Sequence, residues 1–134
     1  MKKKGIALII MLAISGYVRS QHTLDIEIIN LRNETGVIML QLFDENHDLI
    51  AQEKGIIKDK KSHITIKNLK PAKYAIRYFH DENLNGTLET NRTGKPVEGV
   101  GFSNNAYGAF GPKPFNEWLF EINNDKEILI RTKY

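Results

Sequence analysis

The chain has 134 residues and no cysteine, with 19 lysines and arginines against 16 aspartates and glutamates and a formal net charge of +3. Without cysteine there is no disulfide staple and no thiolate metal or redox centre, and the length suits one domain that must hold itself together through its core. Four of the 19 cations, Lys2, Lys3, Lys4 and Arg19, lie in the first twenty residues, and the remainder is near neutral. That balance argues against nucleic acid or an anionic membrane surface as partner.

Residues 1–20 read as a secretory signal peptide: a basic start, a mostly apolar run over residues 5–17, and a small residue, Ser20, at the cleavage position. The apolar run, about a dozen residues, falls short of the ~20 needed to span a membrane. Cleavage after Ser20 leaves residues 21–134 as an exported domain, periplasmic or extracellular, with no membrane span after processing.

Residues 21–30 alternate, with Leu24, Ile26 and Ile28 on one face and Asp25 and Glu27 on the other, the pattern of a half-buried strand. Asn33-Glu34-Thr35-Gly36 is turn chemistry, and residues 37–43 alternate again, so the two strands are expected to form a hairpin. Residues 44–48 are a polar loop, 49–51 a short strand or turn, and 55–58 a weak strand. Residues 62–66 form a further strand. The next strand, residues 74–80, sets Tyr74, Ile76, Tyr78 and His80 on one side and Ala75, Arg77 and Phe79 on the other.

Asp81, Asn83 and Asn85 then stand at alternate positions with Gly86 directly after, the front half of the D-x-[DN]-x-[DN]-G calcium loop. Side-chain oxygens at positions 1, 3 and 5 converge on one cation there, Thr87 offers its carbonyl at position 7, and Glu89 stands at position 9. Position 12 is Arg92, not the bidentate glutamate of an EF-hand. The missing carboxylate is expected from Glu98, the one acid between Arg92 and Phe115, bound to the ion directly, through water, or paired with Arg92 or His80. The competing reading is a plain Asn/Gly turn whose side chains bond their own backbone. The oxygen-rich set favours calcium over zinc.

Residues 93–115 are rich in Gly, Asn and Pro and show little periodicity, which suggests a long functional loop ordered by its aromatic residues. Residues 117–122 and 127–131 are expected to pair as a closing hairpin, turned at Asn123-Asn124-Asp125. With no helical periodicity, about seven short strands argue for an all-β single β-sandwich.

The run His80-Asp81-x-Asn83-x-Asn85-Gly86, then Gly94-x-Pro96-x-Glu98-Gly99, Gly101-Phe102-Ser103-Asn104-Asn105, Gly111-Pro112 and Phe115 resembles the uncharacterised bacterial family catalogued as domain of unknown function 2141. The resemblance implies an exported, prealbumin-like sandwich and no established activity. Residues 68–74 also resemble the Leu-x-Pro-Gly-x-Tyr turn of transthyretin-like modules, with Ala72 in place of the glycine.

Function reads first as an exported, calcium-stabilised binding or accessory module, its partner an extracytoplasmic protein or a glycan. The candidate contact residues are His80, Phe102, Ser103, Asn104, Asn105, Tyr107 and Phe110. The alternatives are a secreted hydrolase using His80 with Asp81 or Glu98, and a purely structural envelope protein. Adjacent strand residues point to opposite faces, so Asp81 is badly placed to orient His80, and no nucleophile elbow frames Ser103.

Overall fold

A computed structural model describes residues 21–134; the signal-peptide reading of residues 1–20 lies outside them. The elements are β1 (His22–Ile29), β2 (Val37–Asp44), β3 (Leu49–Gly55), β4 (Ile57–Lys58), β5 (Lys61–Leu69), β6 (Ala72–Asp81), β7 (Val100–Phe102), β8 (Tyr107–Gly108), β9 (Gly111–Pro112), β10 (Phe120–Ile122) and β11 (Lys126–Arg131). Two short 3-10 turns, Ser103–Asn105 and Phe115–Trp118, interrupt the long loop. Among the described residues no helix is long and apolar enough to cross a membrane.

The strands form two main sheets. One has the order β11-β1-β5-β4, the other β10-β6-β2-β3, with β7 also on the edge of β6. The alternating strands turn their apolar faces together: Leu24, Ile26 and Ile28 of β1 and Ile64 and Ile66 of β5 meet Ile38, Leu40 and Leu42 of β2 and Tyr74, Ile76 and Tyr78 of β6. All eleven are buried, and this inter-sheet layer is the main source of stability, since each fully buried large side chain contributes about 1.5–3 kcal/mol before the entropy of ordering it.

Both expected hairpins are corrected. β1 pairs with β5 and, in parallel, with β11, whereas β2 pairs with β3 and β6 in the other sheet. Likewise β10 lies beside β6 while β11 lies beside β1. Both connections cross between the sheets. Each strand has one fully apolar face, which specifies burial but not the partner on its edge. The first crossing needs Gly36: it has φ +73°, and an added Cβ would sit 1.9 Å from the Asp81 carbonyl oxygen. β3 is longer than expected, because an edge strand carrying Gln52, Glu53 and Lys54 shows no apolar alternation.

The outer face of the second sheet carries an apolar layer of its own. Phe43, Ala75, Val100, Phe102, Ala106 and Trp118 are buried there beneath the long loop, with Phe79, Tyr107 and Phe115 packed against them. β7 and β10 lie in line along one edge of β6, and Ser103 fills the gap between them. Its Oγ accepts the Ile76 N–H at 2.9 Å and donates to the Trp118 carbonyl at 2.6 Å. The hydroxyl thus stands in for a missing strand residue.

Candidate functional site

β6 ends at Asp81, and residues 82–99 return the chain to the same edge as β7, where the His80 N–H meets the Gly99 carbonyl at 2.8 Å. Two buried carboxylates shape this excursion. Asp81 accepts the Asn85 N–H on Oδ1 at 3.2 Å and the Gly86 N–H on Oδ2 at 2.8 Å. Glu98 accepts the Glu82 N–H on Oε2 at 3.1 Å and the Glu89 N–H on Oε1 at 3.2 Å, clasping the start of the loop to its far side. Charge-assisted bonds of this kind are stronger than neutral ones and relieve the buried carboxylates of part of their desolvation cost.

The outer half of the loop is a succession of Asx turns: Asn83 Oδ1 takes the Asn85 N–H and Asn85 Oδ1 the Thr87 N–H. The amide nitrogens of Asn83 and Asn85 both donate to Oε1 of Glu89, the second at 2.8 Å. Asp81, Asn83, Asn85 and Glu89 are therefore tied into one hydrogen-bonded unit, with the N–H of Thr87 bound to it. Glu98 stands behind, bonding backbone groups; the ion pair of this region joins Glu82 to Arg32 at 2.5 Å.

The donor set suits a hard cation, because every side-chain ligand it offers is oxygen. Each carboxylate oxygen of Asp81 retains a lone pair beyond its backbone bond. Among the described residues no three His, Cys, Asp or Glu side chains come together as a metal-holding group. A cation here would accordingly depend on amide and backbone oxygens beside Asp81 and Glu89.

His80 is fully buried and both ring nitrogens are engaged. Nε2 lies 2.6 Å from the Thr35 carbonyl, an obligate acceptor, so Nε2 carries the proton and Nδ1 accepts from the Tyr134 hydroxyl at 2.8 Å. Tyr134 also accepts the Arg32 N–H at 3.1 Å and lies under the Arg32 guanidinium, 4.6 Å from ring centre. Burial raises the Tyr134 pKa; the Arg32 N–H bond opposes that shift and the nearby Glu82 charge adds to it. For Glu82, burial pushes the pKa up, but the hydrogen bonds from Asn33 and Arg32 and the Arg32 charge outweigh it and leave the carboxyl below its ordinary value. A histidine so enclosed has no free nitrogen to offer as a base.

A groove of about 750 Å³ runs over the outer face of the second sheet. Its floor carries Met39, Gln41, Arg77 and Phe79, with Gln52 and Lys54 from β3 at one side. Val100, Phe102, Tyr107 and Trp118 form the aromatic side, and Gly86, Leu88 and Pro96 bring the excursion over residues 82–99 in as a wall. Phe102 and Tyr107 stack with ring centres 5.8 Å apart.

Of the seven expected contact residues, Phe102 and Tyr107 line this groove. Ser103 is buried in its gap-filling role. Asn104 donates to the Glu117 and Leu119 carbonyls, and Asn105 accepts the Arg131 N–H. Phe110 stands fully exposed at the tip of the β8–β9 hairpin, away from the groove lining. Sequence reasoning missed Met39, Lys54, Arg77 and Phe79. The available signal was β6, whose second face sets Ala75 and Phe79 around Arg77, more apolar than an exposed sheet face would be.

A family described as an uncharacterized protein conserved in bacteria (DUF2141) matches residues 26–129. Neither a curated protein nor a solved structure matches the chain.

Proposed function

Since the chain belongs to that family of uncharacterised bacterial proteins, which brings no activity with it, its chemistry has to come from the site, and we propose an exported, calcium-stabilised binding module. The observation that carries the reading is that one loop does two things. Its Asp81, Asn83, Asn85 and Glu89 side chains form a single oxygen-rich unit, and its Gly86 and Leu88 wall the groove. Calcium would crosslink the loop, holding that wall in place where no disulfide is available. The groove is the binding site in this reading, and export rests on the signal-peptide pattern of residues 1–20.

The hydrolase alternative draws no support from His80, whose two nitrogens are occupied. The deciding experiment is calorimetric titration of calcium into chelator-treated protein, alongside intact-mass measurement of the exported form. A saturable heat absent in Asp81→Ala, and a mass beginning at Gln21, are expected. No heat with the wild type would refute the calcium reading, and a mass retaining residues 1–20 would refute processing at Ser20.

A further inference from the structure

The groove sets unpaired cations into a largely apolar floor, and from that we infer the class of ligand: a small monoanionic amphiphile, an apolar body bearing one carboxylate. This rests on the groove being the binding site. Two cross-strand rows make the floor. One runs Lys54, Met39, Phe79, Val100; the next runs Gln52, Gln41, Arg77, Phe102. Directly opposed residues share a face, so the floor sets Lys54 at its β3 side and Arg77 on β6, beside the apolar surface of Met39, Phe79, Val100 and Phe102.

Both cations lack an acidic partner. Arg77 donates from Nε to Gln41 at 2.7 Å and lies over the Phe43 ring at 5.1 Å, which fixes the guanidinium without neutralising it. Neither Arg77 nor Lys54 has an ion pair among the described residues. The one acid on the groove lining, Glu53, is the register partner of core-facing Leu40, so its side chain projects to the other side of the sheet. A carboxylate at Arg77 would meet an uncompensated charge, with Lys54 across the floor adding to the positive field, while the body of the same molecule covered Phe79 and Phe102 under Leu88.

Other occupants fit less well. An extended peptide recognised by strand addition would lie along the free edge of β3, beyond the floor, because the strands beneath the apolar part of the groove, β2 and β6, are paired on both sides. A sugar needs several free hydrogen-bonding groups, and the Gln41 carbonyl is already spent on Arg77. The volume, about 750 Å³, lies within the usual range for small-molecule pockets, ~300–1,000 Å³.

Trp118 is the only tryptophan and lines the groove, so its emission reports occupancy. Titration of the calcium-loaded protein with octanoate, octanol and octylammonium should show octanoate binding about ten-fold or more tightly than octanol, with octylammonium weakest. The exposed substitutions Arg77→Met and Lys54→Met keep the apolar stems, and together they should bring octanoate down to the level of octanol while the melting temperature holds. Equal binding of octanoate and octanol by the wild type would overturn the ligand class, as would an octanoate preference that survives the double substitution. Emission unmoved by all three probes would overturn the groove as the site. Repeating the titration in chelator separates this from the calcium reading: an Arg77-dependent octanoate preference without any calcium-induced melting shift would leave the ligand class standing and sink calcium alone.

Discussion

Asp81→Ala tests the loop most directly, because one side chain holds its fold and its proposed ion. Asp81 is 2% exposed and accepts two backbone N–H groups, one on each oxygen. A hydrogen bond to a charged group contributes about 1.5–3 kcal/mol, and here the freed N–H groups lie in an exposed turn where water can take them. The cost in chelator should therefore be near the low end, about 2–4 kcal/mol for the pair, or roughly 10 °C in a domain of this size. Calcium adds a separable increment. With a modest dissociation constant of about 10⁻⁴–10⁻³ M, as in extracellular modules, about 10 mM calcium should stabilise the wild type by about 1.4–2.7 kcal/mol and the variant by nothing. Urea denaturation of both proteins, in calcium and in chelator, measures the two quantities independently. A calcium increment that survives in Asp81→Ala would refute the site, and a chelator-state loss below about 0.5 kcal/mol would refute the carboxylate's role in holding the turn.

Glu98→Ala should cost about 2–3 kcal/mol in chelator, since the Glu82 and Glu89 N–H groups lose a buried acceptor, and should shrink the calcium increment without abolishing it; urea denaturation against the wild type checks both. Gly36→Ala should cost at least about 2 kcal/mol, because the new Cβ meets the Asp81 carbonyl and φ is positive; thermal melting near the wild-type value would contradict that packing. The Glu82 carboxyl is held below its ordinary value in the folded state, so its contribution is present above the unfolded-state pKa and is lost as pH falls through the lower folded one. Denaturation across the acid range should accordingly show a shallower loss in Glu82→Gln than in the wild type, and identical slopes would remove Glu82 from the acid response.

The all-β class was legible in the chain because alternation with period two is written locally: Leu24, Ile26, Ile28 and Tyr74, Ile76, Tyr78 each declare a buried face without reference to any other strand. The Asp81–Gly86 spacing likewise made the loop visible, since a turn built on Asx side chains depends on neighbours within a few residues. Which strands pair was another matter. β1 and β2, and then β10 and β11, are successive in sequence yet belong to different sheets, because apolar alternation is equally satisfied by either sheet and only the closing of one sandwich core chooses between them. The groove depended wholly on that choice. Lys54, Met39, Phe79 and Val100 come from four strands and form a row only once the register is set, and the Leu88 wall reaches them because Glu98 clasps the loop against the end of β6.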